Sequence, residues 1–182
     1  MAWVDYYKTV EEQLAMVLSG TTEAGAAVPG MPVGGHSVVK EVTLSLDTNA
    51  YASGDVLAEV QEVTGALRSA ALTGVIQSLA VLDKDDQGEA LDVVFFKASA
   101  SLGTENAAVS ISDADADKIL GVVEVAAGDF VDLVNSQLAV KANLSIVAAV
   151  ASGTSIYVGA ISRGTGTYTA SGITLKIGIL QD

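Results

Sequence analysis

Four carboxylates and a glycine fall within seven positions at Asp83 to Glu89 (DKDDQGE). The spacing of Asp83, Asp85, Asp86 and Gly88 matches the opening of a calcium loop, in which clustered carboxylates supply hard oxygen ligands. In an EF-hand the series closes on a carboxylate at the twelfth position, and that position here is Val94. The segment therefore reads as a solvated hairpin turn, with an opportunistic divalent site as the alternative. The single histidine, His36, follows Gly34 and Gly35 and has no acid at fixed spacing beside it. A Ser/His/Asp nucleophile system thus has no credible base, and His36 reads as structural or exposed. Asp113, Asp115 and Asp117 alternate, and on a helix they splay apart, so they read as acids of a first turn. Gly164-Thr165-Gly166 and Gly34-Gly35 lack the lysine and the strand-to-helix setting of a phosphate loop. No cysteine is present, which excludes thiolate metal sites, a disulfide framework and a cysteine nucleophile. No carboxylate pair stands out for glycoside hydrolysis. The expectation is a protein without catalysis, metal or cofactor.

What must position these residues is β-structure. Lys40 to Asp47 (KEVTLSLD) sets Val42, Leu44 and Leu46 against polar neighbours, the period of a half-buried strand. Strands are expected at Val56 to Val63, Val75 to Leu82, Leu91 to Lys97, Gly121 to Ala126, Phe130 to Leu133, Val140 to Val150, Ile156 to Ser162 and Ile173 to Leu180. Asp83 to Glu89 would join the third and fourth of these as a hairpin. Asp113 to Leu120 (DADADKIL) is expected as a short helix capped by Ser112. Eight or nine short strands with one short helix describe an all-β fold, an antiparallel β-sandwich of jelly-roll type. Its core should include Val42, Leu44, Leu46, Val56, Ile76, Leu79, Val81, Val93, Phe95, Val123, Val125, Ile146, Val158, Ile173, Leu175 and Ile177.

The first 36 residues read differently from the body at 37–182. Val4, Tyr7, Val10, Leu14, Val17 and Leu18 fall at helical spacing, with Glu11 and Glu12 on the other face. Thr21 to Gly35 (TTEAGAAVPGMPVGG) holds both prolines and repeated glycines, the composition of an extended arm. An isolated helix of this length is marginal in water and must bury its apolar face. Trp3, Tyr6, Tyr7, Val10 and Leu14 are the candidate partner-binding residues, because large aromatics dominate interface energetics. The arm is expected to reach a neighbouring subunit, against the alternative that it packs on its own body.

Half of the 182 residues are hydrophobic, 17% are charged, and the net charge is −13. A packed core is within reach, and the acidic field repels phosphate backbones, which argues against nucleic acid as a partner. Met1 to Lys8 is not a secretory signal, and the longest weakly charged stretch, Leu138 to Ala151, is too short to span a bilayer. A soluble protein made in the cytoplasm is expected.

Three stretches carry a resemblance: TLSLDTNAYASGDVLAEVQEVTGALR, GVIQSLAVLDKDDQGEALDVVFFKAS and YTASGITLKIGILQD. This running text, from about Val42 to Asp182, resembles a family of small virion structural proteins encoded by tailed bacteriophages. The resemblance implies a capsid decoration (cement) protein on the virion surface, with the major capsid protein and further copies of itself, as a homotrimer, for partners. A head-fibre or tail-associated adhesin that binds host glycans is the runner-up. A lectin-like or carbohydrate-active module unrelated to phage is the third reading. It is disfavoured because a lectin shows exposed aromatics on its β-face, and the body has only Tyr51, Phe95, Phe96, Phe130, Tyr157 and Tyr168, several of them at core positions.

Overall fold

The computed structural model describes residues 36–70 and 73–181. The partner-binding residues named above, Trp3, Tyr6, Tyr7, Val10 and Leu14, lie outside them. Alternation of apolar and polar side chains commits about half of the described residues to strands, whose successive side chains point to opposite faces. Nine strands form among the described residues: β1 (His36–Thr43), β2 (Val56–Val63), β3 (Thr73–Asp83), β4 (Leu91–Phe96), β5 (Ile119–Val125), β6 (Phe130–Asp132), β7 (Gln137–Ala149), β8 (Ile156–Ser162) and β9 (Ile173–Gln181). A helix of a single turn, α1 (Asp113–Ala116), precedes β5, capped by Ser112 as its sequence requires.

The pairing is nested. β1 pairs with β9, β2 with β8, β3 with β7 and β4 with β5, all antiparallel, like one long hairpin folded over on itself. Successive pairs go to opposite sheets, giving the orders β1-β9-β3-β7-β6 and β2-β8-β4-β5. Eight strands wrapped in this way make a jelly roll, and β6 is an extra edge strand on the first sheet. Between the sheets lies the main core. Leu44, Ile76, Leu79, Val81, Val93, Phe95, Val158, Ile173, Leu175 and Ile177 are all fully buried there.

Several expectations shift. Residues 83–89 do not close a hairpin, because β3 and β4 belong to different sheets. The polar segment is a corner that carries the chain across the sandwich, and turn chemistry is the same for both. β1 starts earlier than expected and ends at Thr43. Leu44 and Leu46 lie beyond it, held to the backbone oxygens of Ile173 and Ala170. α1 is half its expected length because β-branched Ile119 already pairs with Phe96 in β5. Val42 and Ile146 are only partly buried against the core, and Val56 is buried in a different cluster.

That second cluster lies on the outer face of the β2-β8-β4-β5 sheet. Val56, Val94, Phe96 and Ile161 point outward from the strands, yet all are buried. Their cover is the long β4–β5 connection, residues 97–112, which lays Leu102, Val109 and Ile111 over them. Backbone bonds fasten the cover to β2: Val56 N–H donates to Ala107, Asn106 N–H to Val56, and Val109 N–H to Gly54. β4 is therefore buried on both faces, and its six residues (LDVVFF) carry no exposed position.

Candidate functional site

The acidic corner is a structural joint. Asp83, the last residue of β3, is 1% exposed, and its carboxylate accepts from the backbone N–H groups of Asp85, Gln87 and Gly88 at 2.8–2.9 Å. Three amide donors are a strong compensation for one buried charge. Asp85 turns the other way and accepts from both the backbone N–H and the hydroxyl of Thr169. The β8–β9 connection approaches so closely that a Cβ at Gly172 would collide with the Asp85 carboxylate, and one at Gly164 with that of Glu89. Gln137 of β7 donates to the Asp86 carbonyl from the third side. Thus Asp83 and Asp85, two of the carboxylates that match the start of a calcium loop, diverge and serve as internal acceptors, while Asp86 is exposed. Among the described residues no cluster of three or more His, Asp or Glu side chains converges on a metal position.

Two tyrosines back this corner. Tyr168 and Tyr51 are buried with ring centroids 6.1 Å apart. Burial raises the Tyr168 phenol far above its ordinary range, and the negative charges of Asp83, Glu89 and Asp85 add to it. Tyr51 is raised chiefly by burial as well. Its hydroxyl accepts from the Asp47 backbone N–H at 2.7 Å and donates to Glu105. Both phenols stay protonated and act as packing groups with a polar tip.

The other residues singled out by type behave similarly. His36 opens β1, and its Nδ1 lies 2.9 Å from the side-chain oxygen of Gln181, whose Nε2 donates in turn to the carbonyls of Gly65 and Ala66. Asp115 belongs to the cap of α1. It bonds Ser112 and Lys118, and Lys118 is the first cause of its lowered pKa. Asp113 and Asp117 do not converge with it. An open groove of about 340 Å³ lies along Glu62, Lys97, Ser152, Ser155 and Tyr157, with Tyr157 as its one aromatic. Of the body's remaining aromatics, Phe95 and Phe96 are fully buried and Phe130 packs on the core.

What the described body does present is a sheet face. Outward positions of the β1-β9-β3-β7-β6 sheet carry Val39 (64% exposed), Val131 (63%), Val147 (59%), Val140 (58%) and Leu180 (38%). Register places Val147, Val75 and Leu180 side by side in one row across three strands. The charged residues at the outward positions of β1, β9, β3 and β7 are Glu41 and Lys176, which neutralise each other at 3.1 Å. In a chain of net charge −13 this is a neutral, largely apolar surface. No described segment covers it. Its signal in the sequence is an alternation that fails: Val75 and Leu82 of β3, and Val140 and Val147 of β7, are apolar at the phase that should be polar. The prediction of core residues from one phase alone passed over them.

Strand order and nested pairing together define a jelly-roll β-sandwich with one outer face covered and the other left exposed by the described residues. No family model matches the sequence, and no curated protein matches it. Solved structures with detectable likeness include a chain of Desmodium yellow mottle tymovirus, 9% identical, with 87% of each chain covered and a TM-score of 0.27. The VP2 subviral particle of infectious bursal disease virus is 14% identical over 79% of this chain and 32% of that one, at a TM-score of 0.33. A Bacteroides thetaiotaomicron chain described as sugar-binding is 12% identical, with 84% and 85% covered and a TM-score of 0.28. Overlaps at these scores carry no argument, and the assignment of the fold rests on the nested strand pairing.

Proposed function

We propose that this chain is a non-enzymatic virion structural protein of the tailed-bacteriophage type, a capsid decoration protein that binds the major capsid shell and associates with its own copies as a homotrimer. The observation that carries the proposal is the neutral apolar face of the β1-β9-β3-β7-β6 sheet on an otherwise acidic body, since exposed patches of this kind mark association sites. The running-text resemblance to small phage virion proteins supports it. So does the internal use of the polar groups, with Asp83, Asp85 and His36 all engaged in holding loops. In this reading Trp3, Tyr6, Tyr7, Val10 and Leu14 anchor the N-terminal segment on a neighbouring subunit, and the remaining acidic surface keeps a coated particle soluble. Titrating the full chain onto preassembled tailed-phage capsid shells tests the role. Saturable binding at a fixed ratio to the capsid subunit is expected, and unsaturable or absent binding rejects it.

The groove at Glu62, Lys97 and Tyr157 favours one second reading, a head-fibre or tail-associated adhesin for host glycans. A glycan array with the full chain decides: a defined sugar hit abolished by Tyr157→Ala supports the adhesin, and a blank array removes it.

A further inference from the structure

We propose that the groove on the outer face of the β2-β8-β4-β5 sheet is a saccharide site, and that its ligand is an uncharged hexose segment within a longer glycan chain. The inference deepens the adhesin reading above, on which it rests, by naming the class of glycan. Glu62 of β2 and Phe96 of β4 flank Tyr157 of β8 in one row of the sheet. The Tyr157 ring packs against the cluster under the cover and is only half-buried, so it is held in place with part of it free. Tyr157 is the floor of the groove. One wall is Lys97, where β4 passes into the cover, and the other is Ser152 and Gly153 in the turn before β8. Gly153 has φ 72°, and a Cβ there would meet nothing within 4 Å, so the backbone of this wall is open to a ligand.

The polar groups of the groove are unused. Elsewhere in the body Asp83, Asp85, Asp92, Asp115 and Asp129 each hold a loop amide or a cation. In the groove, Glu62, Lys97, Ser152, Ser155 and Tyr157 make no side-chain hydrogen bond or ion pair with any described residue. Several free polar groups converging on one concavity beside a fixed aromatic ring is the pattern of a small-ligand site. The volume, about 340 Å³, is near the lower end for such sites and has room for a short saccharide.

The class of ligand follows from what these groups accept. The Glu62 carboxylate only accepts hydrogen bonds and the Lys97 ammonium only donates them, so the ligand must offer both kinds. A sugar hydroxyl does both, and the C–H face of a pyranose ring gives Tyr157 an apolar partner. One carboxylate and one ammonium leave the groove without net charge, and at longer range a chain of net charge −13 repels uronates and sialates. An open groove lets a glycan run through it, so it suits internal units better than a chain end. Its position also fits the virion role. The groove and the exposed apolar face lie on the outer sides of opposite sheets, so a body seated by its first sheet presents the groove to the medium.

Saturation-transfer NMR and calorimetry on the full chain test this with three kinds of probe: neutral trisaccharides (cellotriose, isomaltotriose and globotriose), sialyllactose, and zwitterionic phosphocholine. Saturable binding of at least one neutral trisaccharide is expected, with saturation reaching its ring C–H protons and affinity changing no more than about twofold in high salt. Tyr157→Ala should weaken it at least about tenfold, and Glu62→Ala at least about fivefold, both with unchanged circular dichroism. Asp113→Asn, on exposed α1, should leave it unaltered. Tighter binding of sialyllactose or phosphocholine, lost in Tyr157→Ala, overturns the uncharged class and leaves the adhesin reading standing. Neutral binding that survives both groove variants overturns the site. Failure of every probe overturns the inference, and the adhesin reading is then decided by the glycan array.

Discussion

The two sheets of this sandwich have outer faces that begin alike and end differently. Both carry apolar residues where a solvated sheet would carry polar ones. Over β2-β8-β4-β5 the β4–β5 connection folds back, and Val94 and Phe96 are buried at 2% and 0% exposure. Over β1-β9-β3-β7-β6 no described residue does so, and Val140 and Val147 remain more than half exposed. The first face is a second core. The second is a surface whose apolar groups contribute little to the stability of the body, because they stay in contact with water.

That difference is open to direct test. The largest effect should come from Phe96→Ala, which empties a fully buried site under the cover: a loss of about 3–5 kcal/mol in urea unfolding is expected. A loss below about 1 kcal/mol would mean that residues 97–112 are not packed as described. Leu102→Ala removes the cover's own side chain and should cost about 2–4 kcal/mol, with hydrophobic-dye binding newly detectable. If stability falls without dye binding, the face is not being uncovered.

At the corner, Asp83→Ala leaves three amides without their acceptor in a buried place and should cost about 2–3 kcal/mol in the same assay. A neutral result would show that the amides find other partners. On the exposed face the comparison predicts little. Val140→Asp/Val147→Asp should change unfolding free energy by less than about 0.5 kcal/mol per site, because both side chains are more than half exposed. A large destabilisation would place this face in the core after all.

The smallest effect is electrostatic. The Asp129 carboxyl is held below the ordinary range first by its hydrogen bond to Lys141 and then by the Ala126 backbone N–H. A lowered folded pKa stabilises the charged form, so this contribution is present above the ordinary carboxylate range and is lost as pH falls through the lowered value. Lys141→Met should bring the Asp129 midpoint back up in an NMR titration. An unmoved midpoint would assign the shift to the backbone donor.

Much of the strand inventory could be read in advance. The boundaries of β2 and β8 coincide with expectation, and Ser112 marks the start of α1 through its own capping hydroxyl. These are local properties, set by side-chain period and by donors within three residues. The corner at residues 83–89 was not legible, because DKDDQGE is equally good chemistry for returning to the same sheet or crossing to the other. Nor was the cover legible: Ala100, Leu102, Val109 and Ile111 follow no regular period, and their burial depends on a sheet assembled from three other parts of the chain.

By itself the amino-acid sequence determined that this chain is β-rich, acidic and cysteine-free, and where most of its strands lie. Each of those properties is carried by neighbours a few residues apart. Only the tertiary structure decided the nested pairing of β1 with β9 and β3 with β7, and which of the two apolar outer faces is covered. Those depend on contacts between residues up to 145 positions apart, such as His36 with Gln181, and no local pattern encodes the partner of a strand.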